Sequence, residues 1–452
     1  MKVYNPYTNE KIGEITLLNL KEAINVVNKG LEAEERMSSL SAFQKAEILL
    51  QLVNGIRKNQ SDFIQLISIE SGKPYRYAKA ELERVISTLT IASEECKRIP
   101  HELFYLDNES NSSDRKGEYH YFPVGLILGI SPFNFPLNLA MHKIAPAIAA
   151  GCPIILKPSS KTPLSIELFE RIANESDIPK GGFQVIHCSR ETGNKIIKHP
   201  AIKVVSFTGS PDVGWGIKKL AYNKRVVLEL GGNAAAVVCK SANLNLAIKE
   251  LLIGSFAYSG QVCIHTQRIY IHESIYDNFN QKFISEAKKL NKEDPSHPDS
   301  KFSVMIDKEN VDRVRNWIKE AVEDGAHVLL GGEVMNCYHP PSILSNVSRN
   351  SKIRDEEVFG PVVILEPFNS LEEVIVEVND SKWGLQASIF TDQISERDLF
   401  FNHAEVGTVV HNLSTTFRVD DMPYGGVKNS GFGIEGVKYA MRDFLVGKLL
   451  VR

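Results

Sequence analysis

The chain has 452 residues, which is too long for one hydrophobic core and predicts two or three domains. A hydrophobic content of 43%, a charged content of 24% and a net charge of −3 are ordinary for a globular enzyme. They leave no basic surface that would favour nucleic acid as a partner. The longest apolar stretch, residues 137–151, is interrupted by His142, Lys143 and Pro146, and the N-terminus lacks an apolar leader. Neither a membrane span nor a signal peptide is therefore expected.

The first hundred residues predict helices, because apolar residues recur there at roughly helical spacing. The predicted helices cover residues 20–29, 42–59, 61–70 and 76–96. The stretch SGKP, residues 71–74, breaks the pattern between the last two helices. Residues 106–120 are polar and rich in turn-forming residues, and they predict a loop or a hairpin at the edge of a domain or subunit.

From residue 123 onward, short apolar runs alternate with helical patterns. The predicted strands cover residues 124–132, 153–160, 183–188, 202–210, 234–239, 268–273, 327–332 and 362–368. This β–α alternation predicts a parallel sheet with helices on both faces, followed by a second α/β domain from about residue 231. Ligands of such folds gather at the carboxyl ends of the strands, where this sequence places Gly, Ser, Asn and Lys. Residues 445–452 predict an edge strand able to pair with another subunit.

The six cysteines are scattered along the chain, at Cys96, Cys152, Cys188, Cys239, Cys263 and Cys337. The sequence contains no CxxC pair and no Cys/His spacing suited to zinc, so no metal site is predicted. A reduced, cytoplasmic protein is the simplest interpretation. Most thiols of such a protein are small buried hydrophobic groups, so a catalytic role for any one of them needs further support.

Three motifs carry groups that suit covalent catalysis. Cys263 stands among small and polar residues in SGQVCIHTQR, directly after a largely apolar run. Asn134, in SPFNFP at a predicted strand end, offers a neutral amide donor for an oxyanion, although a turn asparagine would fit the pattern equally well. Glu229, in LELGGN, ends an apolar run beside two glycines, and it is either a general base with space around it or a glutamate at the surface.

Two further motifs suit a dinucleotide. In FTGSPDVG, Gly209 permits a tight turn and Ser210 is a good helix N-cap, so free N–H groups of the next helix would suit a pyrophosphate. The spacing is GxxxxG rather than GxGxxG, and a turn without a ligand is the alternative. In KPSSKTP, Lys157 could bind ribose hydroxyls and Ser159 and Ser160 could bind ribose or phosphate. A capped helix start with a proline in its first turn explains the same residues.

Taken together, these motifs resemble the aldehyde dehydrogenase superfamily. The resemblance covers nearly the whole chain and is carried, in order, by PFNFP, KPSSKTP, FTGSPDVG, LELGGN, GQVC, EEVFGP and PYGGVKNSGFG. It implies an α/β fold with a Rossmann-type NAD(P)-binding domain, a second α/β catalytic domain and a small oligomerisation element. These parts would be residues 1–105 with 122–230, residues 231–430, and residues 106–121 with 431–452. A homodimer or homotetramer is expected, joined through the last of these parts.

The resemblance also implies roles for individual residues. Cys263 would attack the aldehyde carbon as a thiolate, the Asn134 amide and the Cys263 N–H would hold the oxyanion, and Glu229 would activate water to hydrolyse the thioester. The cofactor would contact Ser131, Phe133, Lys157, Ser159, Ser160, Gly209, Ser210, Gly214, Glu357 and Phe359. Members that prefer NAD often carry glutamate where this chain has Ser160. Because serine does not repel a 2′-phosphate and Lys161 adjoins it, NADP or dual use is favoured.

Substrate contacts are expected at Val262, which adjoins the nucleophile and lines the entrance tunnel, at His265, and at Arg418 in NLSTTFRVDD. The stretch FRVDDMPYGGVK resembles members that act on lactaldehyde, glyceraldehyde 3-phosphate or similar short polar aldehydes. The alternative for Arg418 is a structural pair with Asp420 or Asp421. Two rival functions remain, a CoA-acylating dehydrogenase and a silent binding protein. Most acylating relatives lack the base that Glu229 provides, and all three catalytic residues are present here.

Overall fold

The computed structural model describes residues 1–111 and 115–452. The helices are α1 (Leu20–Glu32), α2 (Glu34–Ser38), α3 (Ala42–Lys58), α4 (Gln60–Ser71), α5 (Tyr75–Glu95), α6 (Asn138–Ala150), α7 (Leu164–Asn174), α8 (Arg190–Lys198), α9 (Pro211–Leu220), α10 (Leu244–Phe256), α11 (Tyr276–Ala287), α12 (Lys308–Glu323), α13 (Lys352–Asp355), α14 (Leu371–Asn379), α15 (Ile394–His403) and α16 (Val437–Asp443). Short 3₁₀ turns cover Ala257–Gly260 and Glu273–Ile275. The strands are β1 (Lys2–Tyr4), β2 (Lys11–Glu14), β3 (Glu102–Tyr105), β4 (Lys116–Pro123), β5 (Ile127–Ile130), β6 (Ile154–Lys157), β7 (Phe183–Val185), β8 (Val204–Thr208), β9 (Arg225–Glu229), β10 (Ala234–Val238), β11 (Thr266–His272), β12 (His327–Leu330), β13 (Ser342–Ser345), β14 (Val362–Phe368), β15 (Trp383–Gly384), β16 (Gln386–Phe390), β17 (Thr408–His411), β18 (Val427–Lys428), β19 (Gly431–Phe432) and β20 (Leu445–Val451).

The first sheet has the strand order β19-β9-β8-β5-β6-β7. Strands β5 to β9 are parallel, and β19 lies antiparallel on the β9 edge. Helices α3 to α7 contribute to the core on one face, and α1, α8 and α9 contribute to the core on the other. The predicted parallel sheet with helices on both faces is therefore confirmed. Because the chain moves outward from β5 to β7 and then returns to β8, a crevice opens at the carboxyl ends of β5 and β8.

The second sheet has the order β12-β13-β14-β11-β10-β16-β17 and is parallel except for the β12–β13 pair. Helices α10 and α11 pack on one face, and α14 and α15 pack on the other. The four strands predicted in this half correspond to β10, β11, β12 and β14. Strands β13, β16 and β17 were not predicted, because each is short and mixes apolar with polar residues.

A separate antiparallel sheet has the order β20-β4-β3. The predicted C-terminal strand is confirmed as β20, which pairs with β4 from Leu445↔Pro123 to Val451↔Gly117. Strands β3 and β4 also pair; β3 ends just before the segment that predicted a loop or hairpin, and β4 begins within it at Lys116. Part of that segment, residues 112–114, lies outside the described residues. The side chains of Leu449 and Leu450 on β20 are exposed.

The N-terminal helices occur where they were predicted, to within three residues at each end. Capping boxes fix two of the starts, Asn19 with Glu22 at α1 and Ser41 with Gln44 at α3. No helix within residues 1–111 and 115–452 combines the length and apolarity that crossing a membrane requires.

The SGKP break has a structural function that the sequence did not predict. Lys73 is buried, pairs with the buried carboxylate of Glu81 and lies 4.0 Å from the ring centre of Phe135. Glu81 in turn accepts hydrogen bonds from the backbone N–H groups of Leu137 and Asn138 at the start of α6, at 3.0 and 3.1 Å. This arrangement fixes the SPFNFP segment against the N-terminal helices.

Candidate active site

The SPFNFP and LELGGN segments both meet the loop that carries Cys263. Asn134 is buried, and its side-chain Nδ2 donates to the Gln261 carbonyl oxygen at 2.9 Å. Gly232 packs so closely against the Cys263 carbonyl oxygen that a Cβ at this position would collide with it. The first sheet and the second sheet therefore meet at Cys263, and the structure brings Asn134, Glu229 and Cys263 into one region.

Cys263 follows a left-handed turn that its neighbours hold in place. Tyr258, Ser259 and Gly260 have φ values of 49°, 52° and 69°, which are unfavourable for the two residues that carry a side chain. The Tyr258 hydroxyl donates to the Ser71 carbonyl at 3.0 Å, and the Ser259 hydroxyl donates to the Ser303 carbonyl at 3.0 Å. These contacts stabilise the turn on both sides, so the position of the thiol is set by the surrounding fold.

The Cys263 side chain lies between Tyr424 and the apolar residues Val262, Ile264 and Leu385. Its Sγ is 3.5 Å from the Tyr424 hydroxyl oxygen. Burial raises the pKa of this thiol to about 11, and the hydrogen bond from Tyr424 opposes that rise. Within the described part of the chain, the backbone N–H of Cys263 makes no hydrogen bond. This N–H is thus available to a ligand next to Sγ.

Glu229 ends β9 and is only 3% exposed, yet neither oxygen of its carboxylate has a hydrogen-bond partner among the described residues. Burial raises its pKa well above the usual range, and the nearby charge of Glu435 raises it further, whereas Arg418 and Lys143 lower it. Such an orphaned carboxyl group is costly to bury, so it is expected where a proton must be accepted. The surface-edge alternative for Glu229 is therefore wrong.

Glu435 differs from Glu229 because it has two cationic partners. Lys143 Nζ lies 2.9 Å from its Oε1, and Arg418 lies 3.3 Å from its Oε2. Burial alone would raise the pKa of Glu435, but these two cations lower it to about 2. Glu435 is thus a fixed negative charge, and its repulsion contributes to the high pKa of Glu229.

The crevice at the carboxyl ends of the first sheet has unpaired polar groups that fit a dinucleotide. Ser210 is the N-cap residue of α9, as predicted, but its hydroxyl makes no capping hydrogen bond. The buried Ser131 hydroxyl lacks a partner, and the Lys157 ammonium forms no ion pair, as judged over residues 1–111 and 115–452. A free ammonium at the end of β6, an orphaned hydroxyl at the end of β5 and the start of α9 match the ribose and pyrophosphate of NAD(P).

Glu357 and Phe359 reach the same crevice from the second sheet. Glu357 Oε1 accepts from the Gly232 N–H at 3.2 Å, and burial raises the pKa of this carboxyl to about 7. A Cβ at Gly231 would collide with the Glu357 carboxylate, so a larger residue there would displace that carboxylate. The rings of Phe133 and Phe359 meet edge to face, with centroids 5.8 Å apart. Both sheets therefore contribute to the same wall of the crevice.

Ser160 and Lys161 lie on the exposed turn after β6. The Lys161 ammonium forms an ion pair with Asp307, which joins the first half of the chain to the second. Ser160 has no charge of its own. This turn therefore presents no negative charge at residue 160, and Lys161 is partly neutralised by its partner.

The three predicted substrate residues lie in different surroundings. Val262 is buried in the apolar cluster around Cys263. His265 is also buried, and its Nε2 lies 2.9 Å from the Ser255 carbonyl oxygen. Burial lowers the pKa of His265 to about 4, so the ring is neutral at physiological pH. A substrate contact at His265 stays a prediction that this geometry does not support.

Arg418 does not form the structural pair that its neighbours in sequence suggested. Asp420 pairs instead with Arg84 at 2.7 Å and with His142 at 3.0 Å. The Arg418 guanidinium lies over the Tyr424 ring, 3.7 Å from its centre, while it bonds Glu435. Its Nε has no hydrogen-bond partner in the described portion of the chain. The alternative of an Arg418–Asp420 turn is therefore wrong, and the cation lies at the candidate site.

Three residues of the site were missed at the level of sequence. Lys143 interrupts an otherwise apolar helix, and this pattern is a signal for a buried charge as well as evidence against a membrane span. Tyr424 lies within the PYGG motif, and Glu435 follows it in GFGIEG, but nothing in the sequence shows that they meet Arg418. Their positions depend on contacts that are distant along the chain.

The chain matches the aldehyde dehydrogenase family over residues 1–450, and it belongs to that family. It is 36% identical over 452 residues to 3-sulfolactaldehyde dehydrogenase of Priestia aryabhattai, covering 100% of this chain and 94% of the relative. Its fold is similar to aldehyde dehydrogenase 21 of Physcomitrella patens, solved with the reaction product succinate, with a TM-score of 0.98, 37% identity and coverage of 100% and 94%. It is also similar to glyceraldehyde-3-phosphate dehydrogenase GapN of Methanocaldococcus jannaschii, solved with NADP, with a TM-score of 0.95, 36% identity and coverage of 100% and 98%.

These similarities confirm the predicted family, the α/β fold class and the use of NAD(P). The protein is an NAD(P)-dependent aldehyde dehydrogenase that oxidises an aldehyde. The silent binding protein considered above is not supported, because the family match spans the candidate site as well as the fold.

Proposed function

We propose that the protein oxidises a short aldehyde with an anionic or hydroxylated tail to a carboxylic acid, with Cys263 as nucleophile and Glu229 as general base. The observation that carries this proposal is the convergence of three groups at the Tyr424–Gly425 turn. The Tyr424 hydroxyl lies 3.5 Å from Sγ of Cys263, and its ring lies 3.7 Å below the Arg418 guanidinium. A Cβ at Gly425 would lie 3.5 Å from Oε1 of Glu229. A thiol, an unpaired base and a cation thus surround one small space.

The first half of the reaction forms a bond between sulfur and carbon. The Cys263 thiolate attacks the aldehyde carbon, and the carbonyl oxygen becomes an oxyanion. The Asn134 amide uses one N–H on Gln261 and has a second for the oxyanion, and the Cys263 N–H supplies another donor. NAD(P)⁺, when bound, supplies the hydride acceptor. Loss of the hydride and return of the oxyanion to a carbonyl leave a thioester on Cys263.

The second half breaks the carbon–sulfur bond. Glu229 in its ionised form takes a proton from water, and the resulting hydroxide adds to the thioester carbon. The sulfur leaves as the Cys263 thiolate, and the acid product departs. Because the pKa of Glu229 is raised, mainly by burial, it can accept a proton near neutral pH and lose it again in the next cycle.

The cofactor contacts are assigned from the crevice. Lys157 and Ser159 would hold the adenosine ribose, and Gly209, Ser210 and Gly214 would hold the pyrophosphate. Glu357 would bind the nicotinamide ribose, with Phe359, Phe133 and Ser131 beside the ring. NADP or dual use is supported by the neutral Ser160.

Replacing Ser160 with glutamate is expected to raise KM for NADP by about tenfold or more and to change KM for NAD much less. The added carboxylate would repel a 2′-phosphate but accept hydrogen bonds from a 2′-hydroxyl. Initial rates with each cofactor at saturating aldehyde measure both constants. Ser38→Glu is the matched control, because it adds the same charge at an exposed serine that lies beside Gly151, before the amino end of β6. Equal changes for the two cofactors would refute the role of Ser160.

The anionic tail is supported by Arg418 and by the chemistry of the relatives. Sulfolactaldehyde carries a sulfonate, glyceraldehyde 3-phosphate carries a phosphate, and succinate is a product with a second carboxylate. Each of these tails is anionic, and a guanidinium binds such groups through paired hydrogen bonds. Among the residues that the structure describes, Nε of Arg418 has no hydrogen-bond partner, so it is available for this contact.

Arg418→Ala is expected to raise KM for succinic semialdehyde and glyceraldehyde 3-phosphate at least about tenfold more than KM for lactaldehyde, which has no charge. A loss of kcat shared by all three substrates is also expected, because Glu435 loses a partner. The measurement is kcat/KM for each aldehyde with both cofactors. Arg349→Ala, which removes an exposed arginine paired with Glu377, is the control. Equal losses of kcat/KM for charged and neutral aldehydes would count against an anion contact.

The panel of aldehydes also separates the remaining alternative. A CoA-acylating enzyme would form NAD(P)H only slowly without CoA, whereas hydrolysis assisted by Glu229 needs none. Formation of NAD(P)H at an undiminished rate without CoA supports the hydrolytic reaction. A rate that depends on CoA would overturn it.

The domain organisation and assembly are inferred from the same family. Residues 1–105 and 122–230 would form the NAD(P)-binding domain, residues 231–430 the catalytic domain, and residues 106–121 with 431–452 the oligomerisation element. The exposed apolar side chains of β20 and β3 would pair with a second copy in a homodimer or homotetramer in the cytoplasm. Sedimentation of the native protein tests this, and a monomer at working concentration would exclude it.

A further inference from the structure

The hydroxyl of Tyr424 is within hydrogen-bond distance of Cys263, the candidate nucleophile. Its oxygen lies 3.5 Å from Sγ of Cys263, and Tyr424 is only 2% exposed. Over residues 1–111 and 115–452, the hydroxyl has no other hydrogen-bond partner than this sulfur. A buried phenol normally finds a strong acceptor, and a neutral thiol is a weak one. The geometry therefore suits a sulfur that carries negative charge.

The tyrosine ring is held from both the backbone and the ring face. Tyr424 and Glu435 form a backbone bridge, with Tyr424 N–H donating to the Glu435 carbonyl at 3.1 Å and the reverse bond at 2.6 Å. The Arg418 guanidinium covers the ring at 3.7 Å and is itself tied to Glu435. The apolar residues Val262, Ile264 and Leu385 close the same cluster. The hydroxyl thus cannot turn away from the sulfur without disturbing several contacts.

We propose that Tyr424 is a catalytic residue that donates a hydrogen bond from its hydroxyl to Sγ of Cys263, and that Arg418 is a positioning residue that holds the ring. This inference rests on the proposed function, because it takes Cys263 to be the nucleophile. The hydrogen bond acts twice in the reaction. It stabilises the thiolate before the attack, and it stabilises the same thiolate when the carbon–sulfur bond of the thioester breaks. No proton changes owner in either step.

The surroundings of Cys263 show why such a donor is needed. The pKa of the thiol is raised to about 11, chiefly by burial and in smaller part by the carboxylates of Glu357 and Glu229. Tyr424 and Arg418 are the two groups that act in the opposite direction. A hydrogen bond to the charged form lowers the pKa of a thiol, so removal of the Tyr424 hydroxyl should leave less thiolate at neutral pH.

The test is the pH dependence of Cys263 alkylation in Tyr424→Phe. The protein is treated with iodoacetamide without substrate, and the modified peptide that contains Cys263 is quantified by mass spectrometry. Loss of a hydrogen bond to a charged group should raise the midpoint by about one pH unit, so that alkylation below the midpoint slows about tenfold. The limiting rate at high pH should stay unchanged. Tyr276→Phe is the matched control, because its hydroxyl donates to the Leu365 carbonyl at 3.2 Å and is remote from Cys263.

A second variant tests whether the pH midpoint of Cys263 alkylation can also be lowered. Replacing Tyr424 by 3-fluorotyrosine keeps the ring and makes the hydroxyl a stronger donor, so the alkylation midpoint should fall. In turnover, Tyr424→Phe should lower kcat and leave KM for the aldehyde nearly unchanged, since the hydroxyl contacts the sulfur rather than the substrate tail. An alkylation profile that neither variant moves would overturn the role of Tyr424.

Failure of this inference is distinguishable from failure of the proposed function. If Cys263 is alkylated no faster than Cys337 and Cys263→Ser still forms NAD(P)H, the nucleophile itself is misassigned. If Cys263 is essential for turnover but the Tyr424 variants titrate like the native enzyme, only the role of Tyr424 is wrong.

Discussion

Replacing Cys263 with serine is expected to lower NAD(P)H formation from any aldehyde by roughly a thousandfold or more. A serine hydroxyl is far less acidic than a thiol, so far less of it is ionised for attack on the aldehyde carbon. The variant should fold normally, because the change exchanges one atom in a partly exposed side chain. The measurement is the initial rate of NAD(P)H absorbance at saturating cofactor, together with the thermal midpoint of the variant.

Cys337→Ser is the matched control, since it makes the same exchange at another partly exposed thiol of the second half of the chain. Its rate should equal the native rate. Binding of NAD(P) to Cys263→Ser, measured by fluorescence, should also be retained, because the crevice residues are unchanged. A serine variant that reduces the cofactor at the native rate would remove the basis of the proposed mechanism.

Much of the fold could be predicted from the sequence, because its signals are local. Residues 123–221 alternate between short apolar runs and helical patterns, and each run became a strand of the first sheet. In the second half, β13, β16 and β17 escaped prediction, since an isolated run of four or five residues does not differ from a loop that touches the core. β13 becomes a strand by pairing with β14, and β16 does so by pairing with β10 and with β17. Such pairing is not a local property of the sequence.

The candidate site could likewise be predicted only in the part that depends on local motifs. Cys263, Asn134 and Glu229 stand in motifs whose order resembles one family, so they were predicted before any contact was known. The partner of Arg418 was not predicted, because the nearest acids in sequence are Asp420 and Asp421 and nothing in the sequence points to Glu435. Asp420 is engaged by Arg84, which is distant along the chain. Electrostatic pairing over such separations depends on the assembled fold and has no signature in sequence spacing.

The structure also changes the interpretation of two motifs. The SGKP break predicted only the end of a helix, yet it places the buried Lys73–Glu81 pair under the SPFNFP segment. Ser210 predicted a helix cap, yet its hydroxyl makes no capping hydrogen bond among the described residues. In both cases the residues depart from the role that local structure predicts, and such departures are expected near a functional site.

The second large effect is expected for Glu229→Gln, which should lower steady-state kcat by roughly a hundred- to ten-thousand-fold while the first turnover persists. The glutamine keeps the shape of the side chain but cannot accept a proton from water. Cys263 and Asn134 remain, so the thioester should still form and one equivalent of NAD(P)H per site should appear as a rapid burst. Because the general base acts in its ionised form and the pKa of Glu229 is raised, the native steady-state rate should increase as pH rises through that pKa. The variant should lose this increase.

Rapid-mixing measurement of NAD(P)H, followed by trapping of the acyl-enzyme and mass spectrometry of the Cys263 peptide, tests both halves of this expectation. Glu366→Gln is the matched control, since Glu366 is a partly buried carboxylate on β14 that accepts from the Val347 N–H at 3.1 Å and lies outside the site. Its burst and steady-state rate should be native. Addition of CoA to Glu229→Gln should not restore turnover if the site is built for hydrolysis. A variant that shows neither a burst nor a trapped acyl group would contradict this assignment. Glu229 would then act before the thioester forms, as the base that ionises Cys263.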